Sequence, residues 1–295
     1  MARFAKHIGL LILSVLIVMI ILDKLYSYTF KNSAPRSKIQ KILQLGESHY
    51  DLIFLGSSRT ENHVDCAVIE RITGKSCINF GISGGSIGDM VILMRLMETR
   101  NVTFEKAFLQ LDYNYNSQGL SQNFKARLMP FIHEPTVKKE LNAVGVHWTE
   151  SNISFYRFMK YDQVIGFREF ISSVINKKPK TDLNVGFAPK IGVGEAIATS
   201  FPEKFKEVNT EIQALEAIIG SQDKEIHYFT APYCNKVQGR DAGIQQLKNR
   251  VENLHDYIGI YDDKPEYFFN CGHLNLDGAR DFSRILAKKL IQPQF

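Results

Sequence analysis

No run of five or more like charges occurs in the 295-residue chain, although its formal net charge is +5. Residues 1–30 carry +2 of that, through Arg3, Lys6 and Lys24 set against Asp23, and the remainder is spread thinly. A nucleic-acid partner would require a concentrated basic stripe, so none is expected. The four cysteines, Cys66, Cys77, Cys234 and Cys271, form no C-x-x-C pair, and no histidine stands at zinc-finger spacing. No metal site is expected on that ground. Internal repeats and low-complexity blocks are absent as well. Charged residues at 23% beside hydrophobic ones at 44% indicate a folded chain rather than disorder.

What is present begins with an uncharged run from Ile8 to Leu22. Fifteen residues at about 1.5 Å each give roughly 22 Å, short of a hydrocarbon core of roughly 30 Å. Phe4 and Ala5 on one side and Leu25, Tyr26, Tyr28 and Phe30 on the other extend it, with Asp23 and Lys24 placed at the interface. A cleaved signal peptide has an apolar region of similar length, but no small-x-small triplet follows closely here. Residues 1–30 are therefore expected to form an uncleaved anchor. Arg3 and Lys6 place the N-terminus in the cytoplasm and the folded domain beyond the membrane. In such an oxidising space the cysteines could pair in three ways. Cys66–Cys77 with Cys234–Cys271 is preferred because each joins neighbouring segments, and free buried thiols are the alternative.

Residues 31–48 read as a tether with a short helix, and 49–295 as one α/β domain. Strands are expected at 51–56, 76–82, 106–113, 225–232 and 257–262. Helices are expected at 64–74, 89–99, 203–219, 241–256 and 276–291. Between 114 and 201 the strand signal is weak, which suggests a mainly helical insert with short helices near 155–160 and 164–175. Near-continuous apolar strands alternating with helices predict a five-stranded, doubly wound parallel sheet in a three-layer α/β/α sandwich of flavodoxin-like type. Ligands in such folds bind beyond the carboxyl ends of the strands.

Four polar segments fall at that edge. Gly56-Ser57-Ser58-Arg59-Thr60 follows the first strand: Ser58 is a candidate nucleophile, or the serines simply cap the next helix. Asn79-Phe80-Gly81-Ile82-Ser83-Gly84-Gly85-Ser86 follows the second; it is neither G-x-G-x-x-G nor a Walker loop, and a flexible connection is the plainer reading. Leu111-Asp112-Tyr113-Asn114 follows the third. Asn270-Cys271-Gly272-His273-Leu274-Asn275 precedes the last helix, where His273 can meet Ser58 as a general base. Arg59 is either a solvated helix-start residue or a grip on an anionic or sugar substrate. Trp148, the single tryptophan, is expected to pack against the core.

This order of G-x-S, N-x-G-x-S-G, a polar third motif and H-L-N-x-x-G-A resembles the SGNH (GDSL-type) hydrolases over roughly residues 50–290, the insert apart. It is nearest in character to the membrane-anchored branch found among envelope-polymer acylation and deacylation proteins. The resemblance implies a Ser58 nucleophile, a His273 base, and oxyanion donors at the Ser58 and Gly84 N–H groups. The third donor in the family is an asparagine, and Asp112 stands there. Asn114 would take the role, or Asp112 would be protonated, or two donors would suffice. The family's triad aspartate is replaced by Asn270, with Asp262 or Asp263 as possible substitutes. No cofactor is implied. The implied partners are an acylated envelope glycan, the membrane and envelope-assembly proteins. A catalytically weak scaffold is the rival reading, and a nucleotide-binding flavodoxin-like domain is a distant third.

Overall fold

The computed structural model describes residues 1–194 and 200–292. The parts of the expected insert and domain at 195–199 and 293–295 lie outside the described residues. The chain forms two compact units, one from Met1–Gln44 with Gln122–Lys178 and the other from Leu45–Ser121 with Pro179–Phe295.

The first unit is helical. Its leading helix, Ala2–Asn32, is apolar enough, with a mean hydropathy of 2.6, and long enough to cross a membrane; a signal sequence has the same character. Its side chains up to Ile21 are exposed apart from a half-buried Met19, and it becomes buried only at Asp23, Tyr26 and Phe30. Asp23, which the sequence places uncomfortably beside an apolar run, is satisfied within the unit. Its carboxylate accepts from Arg157 Nη2 at 2.8 Å and from the Phe155 N–H at 2.6 Å. Tyr26 stacks on Phe170 with ring centroids 4.0 Å apart. Trp148 is 65% exposed, against the expected burial.

The second unit holds a parallel sheet of four strands: β1 (Ser48–Leu55), β2 (Cys77–Asn79), β3 (Val102–Gln110) and β4 (Glu225–Phe229), in the order β2-β1-β3-β4. Leu52, Phe54, Phe108 and Phe229 are fully buried, and Phe54 stacks on Phe108 at 4.8 Å. The chain pairs β2 on one side of β1 and then returns to β3 on the other, so the strand order reverses between β1 and β3.

The expected fifth strand at 257–262 is not a strand. Only His255 bridges in parallel to Phe229. The Asp256 carboxylate then captures the Ile258 N–H at 3.0 Å, closing an Asx turn that takes the backbone out of the ladder. Tyr257, Ile258 and Tyr261 are nonetheless buried, which is why the segment reads as a strand from its apolar residues. A small antiparallel hairpin, β5 (Phe268–Asn270) with β6 (His273–Leu274), follows and precedes the Leu276–Leu286 helix. Both disulfides form, Cys66–Cys77 and Cys234–Cys271, as the topology suggests.

Candidate active site

Beyond β1 the backbone turns at Gly56 with φ +142°, a conformation L-residues avoid. A Cβ there would also meet Thr60 Oγ1 at 2.4 Å. This turn starts the Ser58–His63 helix, and the cap is Ser57, whose side chain accepts from the Arg59 N–H. The two serines thus divide the roles that the sequence leaves open. Ser57 closes the helix end and donates its hydroxyl to Gln110 Oε1 at 2.8 Å. The Ser58 hydroxyl is left to face His273, with 2.9 Å between Oγ and Nε2.

His273 sits on β6 opposite Asn270 on β5. Asn270 Oδ1 lies 3.1 Å from His273 Nδ1 and accepts from the Gly272 N–H at 3.1 Å. Two donors converging on that oxygen fix the amide orientation and put the imidazole proton on Nδ1. Nε2 then presents its lone pair to the Ser58 O–H. Ser58, His273 and Asn270 are all half-buried, so the hydroxyl is reachable. Burial, with the positive charges of Arg59 and Lys190, pushes the His273 imidazole down to about 4; the Asp112 and Glu61 charges act in the opposite direction. The ring is therefore a neutral acceptor at neutral pH.

The N-x-G-x-S-G segment is brought against this turn. Asn79 Nδ2 donates to the carbonyls of Thr60 (2.6 Å) and Val64 (2.7 Å), stitching the end of β2 to the helix that Ser58 opens. A Cβ on Gly81 would fall 2.5 Å from the Glu61 nitrogen, so this close approach requires glycine. The Ile82 N–H donates to the Gly56 carbonyl at 2.9 Å, and Gly84 follows with φ +70° and its N–H unbonded among the described residues.

The third motif is built differently from an oxyanion donor. Asp112 is fully buried and accepts from Arg59 Nε, from Gln110 Nε2 at 2.7 Å, from Tyr233 O–H at 2.8 Å and from the Asn114 N–H at 2.9 Å. Asn114 directs its own amide nitrogen to the Gln110 carbonyl at 3.1 Å, away from a donor role at the nucleophile. Arg59 points into the interior, 2% exposed and flanked by the Tyr113 and Tyr233 rings, so it is not a surface grip. Its pairing with Asp112 resolves the charge problem: the carboxylate is neutralised by a guanidinium instead of facing the reacting centre. Asp262 is likewise committed, to Arg240 at 2.8 Å.

Sequence reasoning missed His63. It is fully buried, and its Nε2 accepts from the Leu274 N–H at 3.0 Å, tying the Ser58–His63 helix to the strand that carries His273. Burial, with the His273 and Arg59 charges, holds it well below the usual histidine range, as an acceptor must be. It also missed Gln110 and Tyr233, which link Ser57 and Asp112 into one network. Nothing in their sequence context distinguishes these three from ordinary interior residues.

Neither a family model nor a curated protein matches the chain. A structure search finds similarity to a solved Streptococcus pneumonia protein provisionally described as a platelet activating factor. The two are 14% identical with a TM-score of 0.34, over 96% of this chain and 97% of that one.

Proposed function

We propose that this chain is a serine esterase or O-acyltransferase of SGNH type acting outside the cytoplasm on an acyl ester of a cell-envelope glycan. The observation that carries the reading is the 2.9 Å approach of Ser58 Oγ to His273 Nε2, with Asn270 holding the other ring nitrogen. The β2-β1-β3-β4 order supports a flavodoxin-like three-layer domain over 49–295, with the reactive pair at its carboxyl edge.

Ser58 Oγ attacks the acyl carbonyl as its proton passes to His273 Nε2. The developing oxyanion lies toward the Ser58 and Gly84 N–H groups. The alcohol departs with the proton from His273, leaving an acyl-serine. Water or an acceptor hydroxyl then gives its proton to His273 and takes the acyl group, and His273 passes that proton to the departing Ser58 Oγ, which restores both residues. All proton transfers close on these residues, so the chemistry calls for no cofactor.

For placement, the leading helix is read as an uncleaved anchor. Tyr26 and Phe30 of the same continuous helix pack within the helical unit, so a cut beyond Phe30 would remove both from that packing. Arg3 and Lys6 put the N-terminus inside, and two disulfides suit an oxidising compartment outside.

A second reading, an inactive or weak scaffold within an envelope-polysaccharide assembly, draws on Asn270 standing where the family has an acid. Fluorophosphonate labelling of the full chain in detergent decides between them. Labelling and aryl-acetate hydrolysis lost in Ser58→Ala support the enzyme. A folded wild-type chain that takes no label supports the scaffold.

A further inference from the structure

The Phe167–Val174 helix of the helical unit has three distinct faces. Phe170 and Ser173 are buried, and Arg168, Glu169 and Ser172 form a polar arc. Between them Phe167, Ile171, Val174 and the following Ile175 are 66%, 39%, 53% and 64% exposed. Their spacing of four, three and one residues places them within one arc about 100° wide. Four large apolar side chains in a row on one face are more than the scattered exposure expected of a soluble surface.

What lies beside this helix identifies what covers it. Phe170 stacks on Tyr26, Glu169 accepts from Arg36 Nε at 2.7 Å, and Asn176 Oδ1 accepts from the Ala34 N–H at 3.3 Å. All three ties go to residues 26–36, just beyond the uncharged run that ends at Leu22. Tyr26 lies four residues past that end, roughly 6 Å along the axis, which is about the thickness of one headgroup layer. The buried Asp23–Arg157 pair marks where the apolar surface of the leading helix gives way to polar packing. The exposed stripe thus lies on a helix held at the level of residues 26–36, just past the uncharged run. Arg168 beside it, and Lys177 and Lys178 just after it, are exposed cations suited to anionic headgroups.

We propose that the Phe167–Ile175 face lies in the membrane interface as a second, in-plane contact beside the leading helix, with the lipid surface as its partner. It rests on the leading helix being a span. An interfacial helix with an apolar arc and flanking cations inserts that arc between headgroups and acyl chains. The anchor would then hold the helical unit at a fixed orientation to the bilayer instead of as a tethered body.

The four native cysteines are all paired, so one introduced cysteine gives a single reactive thiol. Ile171→Cys and Ser172→Cys, each in the full chain, are labelled with an environment-sensitive nitrobenzoxadiazole dye. They are reconstituted in vesicles of phosphatidylethanolamine and phosphatidylglycerol, with or without brominated acyl chains. The Ile171 label is expected to lose about half its emission to the bromines, and the Ser172 label on the polar arc much less. Equal and negligible quenching at both sites, with the protein resistant to carbonate extraction, overturns the interfacial contact while leaving the anchor standing. Protein released by carbonate overturns both.

Discussion

Asn270 offers His273 an amide oxygen where the SGNH hydrolases that the sequence resembles have a carboxylate, and that oxygen lies 3.1 Å from Nδ1 and accepts its N–H. Orientation and tautomer are therefore provided, because the Gly272 N–H pins the same oxygen. Charge is not. Among the described residues, an imidazolium formed at His273 meets no carboxylate within hydrogen-bond reach, and the Arg59 and Lys190 charges oppose it while the more distant Asp112 and Glu61 charges favour it.

Replacing Asn270 with Asp should supply that charge without rebuilding the hairpin. A carboxylate within hydrogen-bond reach favours the protonated ring, so the His273 imidazole should rise from about 4 by one unit or more. Turnover of an aryl acetate should rise about tenfold or more, since only the imidazolium-like stage gains. Stopped-flow or steady-state kcat of Asn270→Asp against wild type checks this, with unchanged kcat as the contrary result.

The pH dependence follows from the same depression. A base acts when unprotonated, so kcat/KM of the free protein should fall only as pH drops through about 4 and stay flat up to neutrality. Lys190→Gln removes one of the charges that lower the ring and should move the acid limb upward, by less than about one unit. For stability the sign is the usual one for a group depressed in the folded state. The unfolded chain binds the proton first, so stability is lost as pH falls from about 6.5 toward 4. An acid limb near 6.5 in the rate profile would contradict the geometry.

Much of this site is visible in sequence because its groups sit at strand ends. Ser58 and Gly84 can be placed by counting alternating strands and helices, whereas His273 follows a segment that is not a strand and sits on a separate two-stranded hairpin. The fifth strand fails by the same logic: Tyr257, Ile258 and Tyr261 are as apolar as a strand, but one carboxylate, Asp256, competes for the backbone. The Arg59–Asp112 pair was hidden for another reason. Two charges fifty-three positions apart read as surface residues until the fold encloses both. His63 is one of eight histidines, and its acceptor role depends on a backbone N–H more than two hundred residues away.

That enclosed pair predicts a large effect from a conservative change. Asp112→Asn leaves a buried guanidinium without its counter-charge and should cost about 3–5 kcal/mol of stability. Arg59→Met combined with Asp112→Leu removes both charges and should cost less than the single change. Thermal or urea midpoints of the two variants test the order; a single variant no worse than the double would show that the charges are not coupled.

The two disulfides should separate under mild reduction. Cys66 and Cys77 are fully buried, whereas Cys234 and Cys271 are half-buried and within reach of a small thiol. The second bridge is placed next to the reacting groups. Cys271 adjoins Asn270 and stands two residues before His273, and Cys234 adjoins Tyr233, which donates to Asp112. The Cys234 N–H also donates to the Cys271 carbonyl at 3.1 Å, so the bridge and this bond together clamp the β5–β6 turn. Closing 37 residues contributes about 4 kcal/mol in the loop-entropy description, and closing 11 about 3 kcal/mol. Access, rather than the loop-closure term, sets the order under kinetic control, so low concentrations of dithiothreitol should open Cys234–Cys271 first and lower kcat while far-ultraviolet dichroism holds. The paired change Cys234→Ser with Cys271→Ser should reproduce that loss and remove the sensitivity to reductant. Mass mapping of alkylated thiols identifies which bridge opens. Activity that survives complete opening of Cys234–Cys271 would show that His273 is held by Asn270 and His63 alone.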